Sequence, residues 1–130
     1  MGSAIAVRHA IRHRDRTAAL ALVAGFARAD ARPQLALRTW RGLLDGDAEP
    51  GLLGRSLCTL SCGPTALAHL SAADTDRRAE ETAAALPPGT RQHIDLALGL
   101  DVRDDLQHID APTLVVAASE DILVTPGHRM

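Results

Sequence analysis

Two short apolar runs, far apart along the chain, organise everything between them. Ala18–Ala24 (Ala-Ala-Leu-Ala-Leu-Val-Ala) stops at Gly25, and Thr113–Ala117 (Thr-Leu-Val-Val-Ala) follows Pro112. The second run is β-rich and too short for a helix, so it reads as a buried parallel strand. Ala and Leu favour helix, and local propensity therefore argues against a strand at 18–24. The run is nonetheless short, Gly-terminated and preceded by a helical pattern, which suits the β–α–β alternation of a doubly wound sheet.

The polar positions around these runs repeat with helical spacing. In Ser3–Arg14, Ala4, Val7 and Ile11 share one face while Arg8, His9, Arg12 and His13 lie elsewhere, which predicts an amphipathic helix. From Asp30 to Asp105 short helical patterns follow one another between Gly and Pro. Pro33 can open the first, with Leu37, Trp40 and Leu44 as its stripe. Gly42, Gly46, Pro50, Gly51 and Gly54 then interrupt the pattern. Pro64 opens a short helix to Leu70, and Ser71-Ala72-Ala73-Asp74 resembles a capping box before a helix at 75–86. Pro87-Pro88-Gly89 ends that helix, and Thr90 can cap the next, with Ile94, Ala97 and Leu98 turned inward. A helical excursion between two strands of one sheet is the simplest architecture.

Length and composition narrow the class. The 130 residues suffice for one domain with a core, and 46% are apolar. No run is long enough to span a membrane, which places the chain in the cytoplasm by default and away from membranes. The formal net charge is −2, which gives no reason to expect a nucleic-acid partner. Charge is uneven, however: residues 1–41 hold eight Arg and two acids, and residues 42–130 hold six Arg and fourteen acids. A solvated basic face explains the first part at least as well as a binding site does. Cys58 and Cys62 form a lone C-x-x-x-C, which reads as two buried thiols rather than a zinc site.

The segment from Leu106 to Asp121 holds the most chemistry. Its strand is followed at once by Glu120 and Asp121, and ligands bind beyond the carboxyl ends of strands in open α/β sheets. The series Ile-Asp-Ala-Pro-Thr-Leu-Val-Val at 109–116, with its acid loop, resembles the seventh strand of an α/β-hydrolase. Met1-Gly2-Ser3 is similar to the residues that follow that family's nucleophile, and helix, strand, helical cap and acid strand follow in the family's order. The resemblance implies a partial α/β-hydrolase sheet of two parallel strands with flanking helices, plus a helical cap. It divides the chain into core at 1–29, cap at 30–105 and core again at 106–130. Neither G-x-S-x-G nor an eighth strand with a terminal Gly-His occurs in the sequence, so the expectation is an internal fragment, inactive alone. His128 lies too near Asp121 to serve as the family's base.

By this resemblance Asp121 is the triad acid, with Glu120 as the fallback because Pro126 is offset by one residue from the family's pattern. Met1 supplies a backbone N–H to the oxyanion hole, and Phe26, after the first strand, lines the substrate pocket. The implied substrate is a small ester, lactone, amide or related acyl compound, with no metal and no organic cofactor. Met-Gly favours a serine nucleophile over the aspartate of epoxide-hydrolase and dehalogenase relatives. Two other readings stay open: a non-catalytic product that self-associates through open sheet edges, and an all-α adaptor whose apolar runs are buried helices. His9 and His13 share the spacing of a ligand pair, but surface histidines are the plainer reading. His69 is expected partly buried and hydrogen-bonded, His93 and His108 on the surface or in turns, and Trp40 in the core.

Overall fold

The structure, a computed structural model, describes residues 1–125, so Pro126 and His128 lie outside the described residues. Helix α1 (Gly2–Arg12) and a single 3₁₀ turn lead into β1 (Leu20–Val23). Six helices follow: α2 (Ala31–Asp45), α3 (Pro50–Ser61), α4 (Pro64–Ala68), α5 (Ala72–Ala84), α6 (Thr90–Gly99) and α7 (Arg103–Leu106). The chain then returns in β2 (Thr113–Val116).

The two strands pair in parallel, with Leu20 opposite Thr113 and Val23 opposite Val116. Leu20 N–H donates to the Pro112 carbonyl and Ala24 N–H to that of Val116, each at 2.9 Å, extending the ladder at both ends. Sheet pairing thus overrides the helix preference of the Ala-Leu run, and the all-α reading is excluded. Burial differs from expectation. Leu22 is 2% exposed, but Leu114, Val115 and Val116 are 62%, 47% and 42% exposed and Val23 65%. β2 is apolar, yet among the described residues no second layer covers it, so it is not a buried strand. Ala24 closes β1 at φ 47°, a left-handed conformation that strains a residue with a Cβ.

Helix α1 packs on β1 and α7, burying Ala4, Val7 and Ala10. The larger core belongs to the excursion, where Ala36, Leu37, Trp40, Leu53, Ile94 and Ala97 form one cluster. Here α3 is a correction. Three of the glycines read as interruptions lie inside helices, Gly42 in α2 and Gly51 and Gly54 in α3, while Gly46 does end α2. At Gly54 the reason is steric: a Cβ there would lie 2.0 Å from the Ala79 carbonyl oxygen, so α3 and α5 touch backbone to backbone. Helix α2 starts at Ala31, earlier than Pro33 suggests, because the Asp30 side chain accepts from Arg32 N–H at its N-terminus. Ser71 caps α5 as expected, accepting from Asp74 N–H at 3.2 Å and donating to the Asp74 carboxylate at 2.6 Å. Gly89, not Thr90, is the capping residue of α6; the Thr90 hydroxyl instead donates to the Pro87 carbonyl at 2.7 Å.

The excursion leaves and returns at one point. Arg28 and Asp101 form an antiparallel bridge, and Val102 N–H donates to the Ala27 carbonyl at 2.9 Å. The uneven charge is resolved by pairing across the chain. Arg8 meets Asp105 at 3.2 Å, Arg14 meets Asp110, and Arg41 meets both Asp95 and Asp45. Arginines of the first third therefore answer acids of the remainder. These pairs are largely exposed, so each contributes little stability.

Candidate functional site

The site grows out of the end of β2. After Val116 the chain turns, and Asp121 N–H donates to the Ala118 carbonyl at 3.3 Å. Asp121 then organises its own loop. Its Oδ1 accepts from Leu123 N–H at 2.9 Å and Val124 N–H at 2.7 Å. Its Oδ2 takes no hydrogen bond among the described residues. Asp121 faces a cleft that Arg32, Pro64 and Ser119 also line.

Glu120 has a different occupation. Its Oε2 accepts from Thr65 N–H at 3.0 Å and its Oε1 from the Thr65 hydroxyl. The Thr65 hydroxyl, and then its N–H, hold the Glu120 pKa below its ordinary 4.5. Gly63 lies against this contact: a Cβ there would come within 2.7 Å of Glu120 Oε2. Glu120 thus ties the loop after β2 to the start of α4.

Beside this loop, and joined to it through Leu123, lies an apolar cavity of about 260 Å³. Met1 and Phe26 line it from the sheet side. The opposite wall comes from α2 (Pro33, Leu37, Trp40, Leu44), α3 (Leu53, Leu57), Leu86 and α6 (Thr90, His93, Ile94, Ala97). Phe26 packs against both core clusters, so it joins the strands to the excursion. Trp40 is 8% exposed and donates its Nε1–H to Ser56 Oγ at 3.1 Å, which fixes the indole as part of the wall. Met1 stands at the N-terminus of α1, where its carbonyl accepts from Ala4 and Ile5 N–H.

The residues singled out from the sequence therefore fall into two groups. Met1 and Phe26 share the cavity, while Glu120 and Asp121 share the adjoining cleft. In the α6 wall Ile94 and Ala97 are buried as expected, and the addition is His93 as part of the lining. It is exposed, but it lies on a helix and lines the cavity. The signal was available: positions 90, 93, 94 and 97 follow the i, i+3, i+4, i+7 spacing of one helix face. His69 is exposed at the end of α4, not partly buried. His9 and His13 stack with ring centroids 4.6 Å apart. No group of three potential metal ligands occurs among the described residues. Cys58 is buried beside the Thr82 hydroxyl, whereas Cys62 is only half-buried, and both thiols are free. Among the described residues no helix is long and apolar enough to cross a membrane.

No protein-family model matches the sequence, and no curated protein matches it. Among solved structures the chain is similar to MGS-M2, an alpha/beta hydrolase enzyme from a Medee basin deep-sea metagenome library. The TM-score is 0.77 and the sequence identity 20%, and the match covers 98% of this chain and 47% of that one. The chain spans about half the length of this structural neighbour. At this identity the likeness shows the fold: two parallel strands with flanking helices and a helical cap, forming part of an α/β-hydrolase fold.

Proposed function

We propose that this chain forms the cap and the acid-bearing edge of a serine-type hydrolase that acts on carboxylic esters or related acyl compounds. The observation that carries this reading is the adjacency of a carboxylate loop at the end of β2 and an apolar cavity between sheet and cap. In this reading residues 1–29 and 106–130 belong to the core and 30–105 to the cap. The nucleophile and the base come from outside this sequence.

Asp121 is the triad acid. Its two backbone hydrogen bonds fix the carboxylate through Oδ1, leaving Oδ2 for the imidazole. There it would set the tautomer and stabilise the imidazolium as the nucleophile loses its proton. Glu120 fits the role less well because Thr65 occupies both of its oxygens. Met1 N–H would serve the oxyanion that develops on the acyl carbon, and Phe26 would line the substrate pocket. The reading implies a small-molecule substrate and a cytoplasmic protein, with no nucleic acid or membrane as partner.

The exposed Val23, Leu114, Val115 and Val116 favour one companion reading. Among the described residues the outer edges of β1 and β2 have no strand beside them, and in the isolated chain they would pair with a second copy.

The test is ester hydrolysis. The 130 residues alone should turn over a nitrophenyl ester no faster than buffer. A polypeptide extended by a Gly-x-Ser elbow before Met1 and a histidine-bearing strand after residue 130 should be active and sensitive to serine inhibitors. In it Asp121→Asn should lower the rate by about four orders of magnitude, while Glu120→Gln keeps most of it. A robust inhibitor-sensitive rate from the 130 residues alone would overturn the division of parts. An Asp121→Asn enzyme of full activity would remove the acid.

A further inference from the structure

The cavity contains enough detail to specify the kind of group it accepts. Most of its lining is aliphatic or aromatic, and no Arg, Asp or Glu side chain is among it. Its polar side chains, Thr90 and His93, sit one helical turn apart on α6. The Thr90 hydroxyl donates its proton to the Pro87 carbonyl and the Trp40 N–H donates to Ser56, which leaves the His93 imidazole as the side-chain donor of the lining open to a guest. The sheet-side wall is Met1, Phe26 and Leu123, and Leu123 N–H is bonded to Asp121. A molecule that fills the cavity thus places its other end beside the carboxylate loop.

Size follows from volume. An apolar cavity of roughly 150 Å³ takes benzene, so about 260 Å³ takes an apolar group of about ten carbons. We propose that this cavity binds the uncharged apolar portion of an acyl compound, of about ten carbons, with His93 meeting a polar atom at its cap end. The proposal deepens the hydrolase reading by giving its substrate class, and the acyl part of it rests on that reading. Binding itself needs no nucleophile and is measurable in this chain.

Trp40 provides the measurement. It is the sole Trp, the chain has no Tyr, and the indole forms part of the cavity wall. Its emission therefore reports on occupancy of this one place. The probes are methyl esters of straight-chain fatty acids, graded in length and titrated below their solubility limits. Emission should change saturably, and affinity should rise by roughly fourfold per methylene up to about ten carbons and then stop rising. Ala97→Leu, which places a larger side chain in the wall, should move that ceiling to shorter chains. Circular dichroism identifies a variant that fails to fold, in which case the length series on the parent chain decides alone.

His93→Phe should weaken esters bearing a polar group at the chain end and spare plain ones. Loss of both alike would overturn the role of His93. An unchanged emission, or an affinity that climbs with length without a ceiling, would overturn the cavity assignment. A ceiling near ten carbons, together with a complete polypeptide that hydrolyses no ester, would leave the binding site standing and remove the hydrolase reading.

Discussion

Gly54→Ala isolates the closest contact between helices. In an exposed helix the change would stabilise by about 0.5–1 kcal/mol, because Ala loses less backbone entropy than Gly. At this position the new Cβ would meet the Ala79 carbonyl oxygen at 2.0 Å, its carbon at 2.7 Å and Ala79 Cα at 3.3 Å. All three are backbone or main-chain carbon atoms, so no rotamer change relieves them. Helix α3 would have to retreat from α5 by roughly 1.4 Å to restore van der Waals contact. Ala79, 1% exposed, and Leu53, 8% exposed, would lose packing as it moved.

Overpacking of this kind costs about 1–3 kcal/mol. Set against the helix gain, the net loss is about 1–2 kcal/mol, or roughly 4–8 °C in Tm for a chain of this size. Gly42→Ala is the matched control. It also lies in a helix, but nothing stands within 4 Å of its added Cβ, so it should gain about 0.5–1 kcal/mol. Thermal and urea unfolding followed by circular dichroism measure both. A second change, Ala79→Gly, should not rescue Gly54→Ala, because the atoms struck remain in place. Equal stabilisation by Gly54→Ala and Gly42→Ala would refute the close approach of α3 and α5.

Two further outcomes concern the cap of α5 and the response to acid. Ser71→Ala removes the acceptor for Asp74 N–H and should cost about 1 kcal/mol, read as a lower urea midpoint; an unchanged midpoint would show that the cap contributes nothing. The Arg103 guanidinium and N–H hold Asp101 at about 2 against an ordinary 3.8, and Ser71 and Thr65 likewise lower Asp74 and Glu120. A lowered carboxylate pKa adds stability that is complete above the unfolded-state value and disappears as pH falls through the folded one. The urea midpoint should therefore fall between about pH 4.5 and 2, less steeply in Asp101→Asn, and a flat profile across that window would refute these pairings.

Much of the fold was legible because its signals are local. Gly25 and Pro112 bound the two strand runs, Ser71 caps α5, and the face of Ala4 and Val7 marks α1. The failures have a common cause in tertiary context. Gly54 reads as a break when taken alone, but it is the place where another helix comes near. Leu114, Val115 and Val116 read as buried because apolar residues usually are, yet burial depends on a neighbouring layer that the sequence of a strand does not reveal. At the candidate site Glu120 and Asp121 follow β2 and Phe26 follows β1, while the roles expected of them come from the family resemblance alone. Ile94 and Ala97 are legible from the helical stripe of α6, whereas His93, taken singly, reads only as a surface residue.

The bridge between Arg28 and Asp101 has a consequence for how such a chain can change over time. Departure and return meet at one bridge, so those parts of the excursion that touch neither Phe26 nor Glu120 can lengthen or shorten without disturbing the strand register behind it. The start of α4 is the exception, because Thr65 is bonded to Glu120 beside Asp121.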